Sequence, residues 1–139
     1  MLRPGAAEAL GILERAGVTA ALVTSGSRVR VERELDHFGI RKAFAELVCG
    51  EDAVRKKPDP EALHLGLRRL GIPAAAAAYV GDSPEDIAMA RSAGVFSVGV
   101  EGGFPNAEAL RAEKPDLIAD NLLEAARALI GDRGPTSRV

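Results

Sequence analysis

The chain has 139 residues, 47% of them apolar and 27% charged, which is enough for one domain with a real core. Its 18 Lys and Arg stand against 20 Asp and Glu, so no broad basic face for nucleic acid is implied. No stretch approaches the ~20 apolar residues that span a bilayer, and a single cysteine, Cys49, excludes an internal disulfide.

In chain order the pattern alternates between helix and strand. Residues 4–16 read as a helix, with Pro4 in its first turn and Gly17 after its end. Residues 18–23, VTAALV, read as a buried strand, followed by a helix over about 28–38 that stops at Gly39. Residues 46–49, ELVC, make a short strand, and Cys49 within it reads as a buried, inert thiol. Loop signals fill 50–58, and a helix runs from near Pro60 to Leu70, closed by Gly71. Residues 78–81, AYVG, form a strand, and the alanines before it, 74–77, have helical propensity. A helix begins at Pro84 and ends near Ala93 before Gly94; residues 95–100 form the next strand. Residues 106–112 read as helix, 116–119 as strand and 121–130 as a last helix. The loop at 99–105 is expected to be flexible and to border a site. Residues 1–131 then form one domain, and 132–139 a loose polar tail.

Strands separated by helices of this length, with short connections, predict an α/β fold: a parallel sheet with helices on both faces, Rossmann-like in its three layers. Ligands of such sheets bind beyond the carboxyl ends of the strands. Three of those ends carry polar groups. The first offers Thr24, Ser25, Gly26 and Ser27, where a following helix start presents N–H groups and a positive dipole to an anion; helix capping is the plainer role for the same serines. The second is KKPDP, where Pro58 holds Lys57 in an extended stretch that aims its ammonium. The third is GDSPEDIAMA, in which Asp82 ends the strand and Asp86 lies one turn further on, close to it. Two carboxylates there form part of a site for a hard divalent cation such as magnesium, or else cap the helix. A hydroxyl clamp, a fixed cation and an acidic metal site together form a set for handling a phosphoryl group. His37 and His64 fall on helices away from the strand ends and read as surface or packing residues.

These three motifs, in this order, resemble those of the haloacid dehalogenase superfamily, and of its phosphoglycolate-phosphatase-like branch in particular. LRPGAAEALGILERAGVTAALVTSGS is similar to that branch's second motif and its approach, CGEDAVRKKPDPEAL to its lysine motif, and AYVGDSPEDIAMARSAGV to its acidic fourth motif. The resemblance covers about residues 2–131 and implies roles. Thr24, with the N–H groups around Ser25 and Gly26, binds phosphoryl oxygens. Lys57 neutralises charge. Asp82 binds Mg2+ and Asp86 supports that metal site. The implied substrate is a small phosphorylated metabolite.

One departure matters as much as the matches. The family begins with a strand ending in Asp-x-Asp, which supplies the nucleophile and the general acid–base, and no Asp-x-Asp occurs in this sequence. Asp36 falls in a helix, Asp52 and Asp59 in or beside the lysine loop, and Asp116 and Asp120 beside the last strand. The cap that selects substrate is also absent. The missing strand is central in the family fold, between the strands ending at Val23 and Gly81. Those two must therefore pair directly, leave a gap, or accept a strand from another molecule, by strand exchange or homo-oligomerisation. Two functional readings follow: a phosphatase core with negligible activity on its own, or a non-catalytic phosphate-binding or assembly module. A two-component receiver domain fits poorly, because its acids come early and its lysine follows its hydroxyl residue. No nucleic-acid or membrane partner is expected, and with no signal-peptide pattern around Arg3, Pro4 and Glu8 the expected location is cytoplasmic.

Overall fold

A computed structural model describes residues 5–102 and 107–131. Among these residues six α-helices and five strands alternate: α1 (Ala6–Arg15), β1 (Ala20–Val23), α2 (Arg28–His37), β2 (Phe44–Val48), α3 (Glu61–Leu70), β3 (Ala78–Gly81), α4 (Pro84–Ala93), β4 (Phe96–Val100), α5 (Ala107–Ala112), β5 (Leu117–Ala119) and α6 (Leu122–Ile130). The expected helix start at Pro4, residues 103–105 of the expected 99–105 loop and the polar tail lie outside the described residues, while Gly99 and Val100 of that loop belong to β4. None of the helices among those described is long and apolar enough to cross a membrane.

A repeated device ends the helices. After α1, Gly17 takes a positive φ of 77°; its N–H donates to the Glu14 carbonyl at 3.0 Å, and the Val18 N–H donates to Leu13 at 2.9 Å. This is the Schellman closure, which favours glycine because a side chain is strained at that φ. The same pair of bonds follows α4, where Gly94 donates to Arg91 and Val95 to Ala90. It recurs after α2 at Gly39 and Ile40 and after α3 at Gly71 and Ile72. Val18 and Val95 are thereby tied to the preceding helix, which is why β1 and β4 start later than the apolar runs suggest. The alanines 74–76 form a single 3-10 turn.

All strand pairs are parallel, yet they do not form one sheet. β1 pairs with β2, and separately β3 pairs with β4 and β4 with β5. The single sheet expected from the sequence is divided between β1 and β3, so of the three outcomes foreseen there the chain adopts the gap. On one face the two halves share a core: Val23, Val48, Leu63, Leu67, Met89, Ala90 and Val95 pack as one cluster with Tyr79 against it, bringing α3 and α4 across the break. On the other face α1 lies against α6, with separate clusters around Val31, Leu35, Ile40 and Cys49 and around Val98, Val100, Ala125 and Leu129.

Candidate functional site

The site lies at the carboxyl ends of β1 and β3. Just beyond β1, the Thr24 Oγ1 accepts the Gly26 N–H at 3.1 Å, which curls the turn before α2. Ser27 is the helix cap and accepts from the Arg30 N–H at 3.4 Å. The Arg28 N–H bonds to Glu51 at 2.9 Å, so side chains already use part of the α2 N-terminus. Gly50 makes this join: its N–H donates to the Gly26 carbonyl at 2.7 Å, and a Cβ there would fall 2.4 Å from the Ser25 oxygen. Below it, Asp52 accepts from the Cys49 N–H at 2.8 Å and from Arg28 at 2.6 Å. The backbone bond first, and then the guanidinium, hold the Asp52 carboxyl below its ordinary range.

The lysine loop is braced before it reaches the site. Glu61 accepts the Val54 and Arg55 N–H groups at 2.9 Å each, and these bonds lower its pKa. Asp59 accepts the Glu61 N–H at 2.9 Å, and the Lys56 ammonium donates to the Gly50 carbonyl at 2.9 Å. Lys57, joined to Pro58 by a cis peptide, then points inward, and its Nζ lies 2.7 Å from Asp86 Oδ1.

Asp86 is the organising carboxylate. It is 5% exposed, and its Oδ2 accepts the N–H groups of Asp82 at 3.1 Å and Ser83 at 3.2 Å. The Asp86 N–H donates back to Ser83 Oγ at 3.2 Å, closing a capping box at the start of α4. Gly81 permits this, since a Cβ there would sit 2.4 Å from the Asp86 Cβ. The Tyr79 hydroxyl lies 3.5 Å from Asp86 Oδ1 and 3.2 Å from the Val23 carbonyl, crossing the break between the half-sheets. Burial pushes the Tyr79 pKa well up and the Asp86 charge pushes it the same way, so the hydroxyl remains a donor.

Thr24, Lys57, Asp82 and Asp86, from three separate loops, all line one cavity of ≈ 500 Å³. Ser25 and Gly26 belong to the adjoining turn and are not among the lining residues. Asp86 is beside Asp82 as expected, but both of its oxygens are already engaged by Lys57, Tyr79 and two backbone N–H groups. Among the described residues no group of three or more His, Cys, Asp or Glu could enclose a metal. Asp82 and Asp86 are the two carboxylates that line the cavity, and each offers oxygens of the kind that a hard divalent cation takes. Cys49 is buried, and burial raises its thiol pKa, in keeping with an inert role. His37 and His64 are exposed on α2 and α3. Sequence reasoning missed Tyr79 and Gly50. Both act through contacts with residues far away in the chain, which no local pattern marks.

Residues 1–100 match the family of haloacid dehalogenase-like hydrolases. The phosphoglycolate phosphatase of Pseudomonas fluorescens is 36% identical over 119 residues, covering 86% of this chain and 44% of that protein. That of Salmonella typhimurium is 37% identical over 129 residues, covering 93% of this chain and 51% of the relative. The crystal structure of a predicted phosphoglycolate phosphatase from Haemophilus somnus superposes with a TM-score of 0.84 at 30% identity, covering 93% of this chain and 57% of that one. The chain thus spans about half the length of the curated relatives it matches.

Proposed function

The chain belongs to the haloacid dehalogenase-like hydrolase family, and from that premise we propose that it is the core of a magnesium-dependent phosphatase for a small phosphomonoester. The observation that carries this reading is the single cavity edge shared by Thr24, Lys57, Asp82 and Asp86. In this reading the Thr24 oxygen, already fixed by the Gly26 N–H, turns its hydroxyl proton toward a phosphoryl oxygen. The Lys57 ammonium, oriented by Asp86, neutralises a second oxygen. Asp82 holds magnesium, which supplies further charge neutralisation at the phosphoryl group. Asp86 acts through Lys57 and the Asp82 loop as a positioning residue.

The chain contains no Asp-x-Asp to attack phosphorus. Covalent catalysis is then missing, and the proposed activity of this chain alone is negligible. A non-catalytic phosphate-binding module is the second reading, favoured by that same absence.

An assay separates the two. Hydrolysis of p-nitrophenyl phosphate and of phosphoglycolate, the substrate in the relatives' name, is followed with magnesium for this chain and for one extended upstream by a strand ending in Asp-x-Asp. Turnover by the longer protein alone supports the phosphatase core. Phosphate binding without turnover by either supports the module, and turnover by this chain alone contradicts both.

A further inference from the structure

Among the described residues two cations line the ≈ 500 Å³ cavity, Lys57 and Arg30. They come from different elements. Lys57 stands in the loop after β2 and spends its charge on Asp86, 2.7 Å away. Arg30 lies in the first turn of α2, where its N–H donates to the Oγ of the Ser27 cap. Its side chain turns back toward the start of the helix, as helical side chains do. A Cβ built on Gly26 would fall 2.7 Å from Arg30 Nη2 and 3.5 Å from Thr24 Oγ1. The guanidinium therefore lies across the bare face of Gly26, on the same side as the Thr24 hydroxyl, in space that a larger residue at 26 would contest.

Neighbouring arginines are tied down differently. Arg28 pairs with Glu32 and Asp52, Arg41 with Glu32 and Asp36, and Arg69 with Asp52. Arg30 is exposed and forms no such pair among the described residues, although Glu34, one turn further along α2, lines the same cavity. A guanidinium presents a planar fork of donors that matches the two oxygens of one acid group. In the phosphatase reading the phosphoryl group already has partners in Thr24, Lys57 and the magnesium at Asp82. Arg30 adds one positive charge at the exposed rim, which a single carboxylate balances. A second phosphate dianion would leave excess negative charge beside Glu34.

We propose that Arg30 is a specificity-determining residue: its guanidinium receives a carboxylate carried beside the phosphate ester and so favours acidic phosphomonoesters over neutral ones. This rests on the phosphatase reading and adds a residue that chooses among its substrates. Gly26 makes room for the guanidinium, and the Ser27 cap holds the turn from which it reaches.

The test uses the full chain with magnesium and two ligands that share a two-carbon phosphate ester. Phosphoglycolate carries a carboxylate, and ethyl phosphate carries a methyl group in its place. Calorimetric titration is expected to show phosphoglycolate binding about fivefold more tightly, the size of a well-formed ion pair at an exposed site. Arg30→Gln is expected to bring the two affinities level. Arg30→Lys is expected to keep part of the difference, since the charge remains and the fork is lost. In the unmodified chain the Arg30 Nε–H signal is expected to move with phosphoglycolate and not with ethyl phosphate, a readout that holds even if Arg30→Gln does not fold. The inference is overturned if the unmodified chain binds both ligands equally, or if the Arg30 signal ignores phosphoglycolate. It is also overturned if Arg30→Gln weakens both ligands by the same factor, which would put Arg30 on the phosphoryl group itself. In each of these cases the phosphatase reading survives as long as both ligands move the Thr24 and Lys57 signals. If neither ligand moves them, that reading and the inference fail together.

Discussion

The two faces of the break between β1 and β3 are built differently. On one face Met89 and Ala90, fully buried on α4, meet Val23 and Val48 of one half-sheet while Tyr79 packs in from the other. On the opposite face α1 and α6 touch, yet a ≈ 500 Å³ cavity remains beneath them. With no strand ladder across the break, a helix-covered core and a few polar contacts hold the halves together. The Lys57–Asp86 pair is one such contact, because Lys57 follows β2 and Asp86 follows β3. The Tyr79 hydroxyl on the Val23 carbonyl is another. Much of what orders the site therefore also joins the half-sheets.

Substitutions on the two faces can break or sharpen this contrast. Met89→Ala on the filled face is expected to cost about 2–5 kcal/mol in denaturant unfolding, as for other large-to-small core changes. Asp86→Asn removes a charge that receives an ammonium and two backbone N–H groups; about 2–3 kcal/mol is expected, with the Asp82 and Ser83 amide signals shifting. Tyr79→Phe deletes the contact across the break and is expected to cost about 1 kcal/mol. On the hollow face Ala126→Leu adds side chain where space exists. We expect a change within about 1 kcal/mol of zero, read from the same unfolding curves; a cost like that of Met89→Ala would mean that this face is as tightly filled as the other.

The smallest effect concerns pH and the loop that aims Lys57. Glu61 has a lowered folded pKa, so its support is complete above the ordinary carboxyl range near pH 4 and is lost as pH falls through the lower folded value. Asp52 acts with the same sign. Amide shifts of Val54 and Arg55 are expected to titrate below about pH 4, and Glu61→Gln is expected to remove that titration.

Much of the fold was legible because its signals are local. β3 and α4 occupy the residues that the AYVG run and Pro84 mark. The starts of β1 and β4 were less so, because Val18 and Val95 look like strand residues but spend their N–H groups on helix closure. Thr24, Lys57, Asp82 and Asp86 could be picked out by residue type and by their places at strand ends. The saturation of Asp86 could not, since Lys57 is 29 residues away in sequence and meets it only in three dimensions. The break in the sheet was one of three outcomes left open by a family resemblance, and no pattern in the residues themselves marked it. Its asymmetry depends on how α1 and α6 settle, and sequence periodicity does not report that.

Amide exchange along β1 in the free chain tests the central claim most directly. An open edge beside a paired one predicts alternation: fast exchange at Ala21 and Val23, slow at Leu22 and Thr24, whose N–H groups bond to β2. Uniform protection of all four would mean that β1 has a second strand partner, and would contradict a sheet divided at this point.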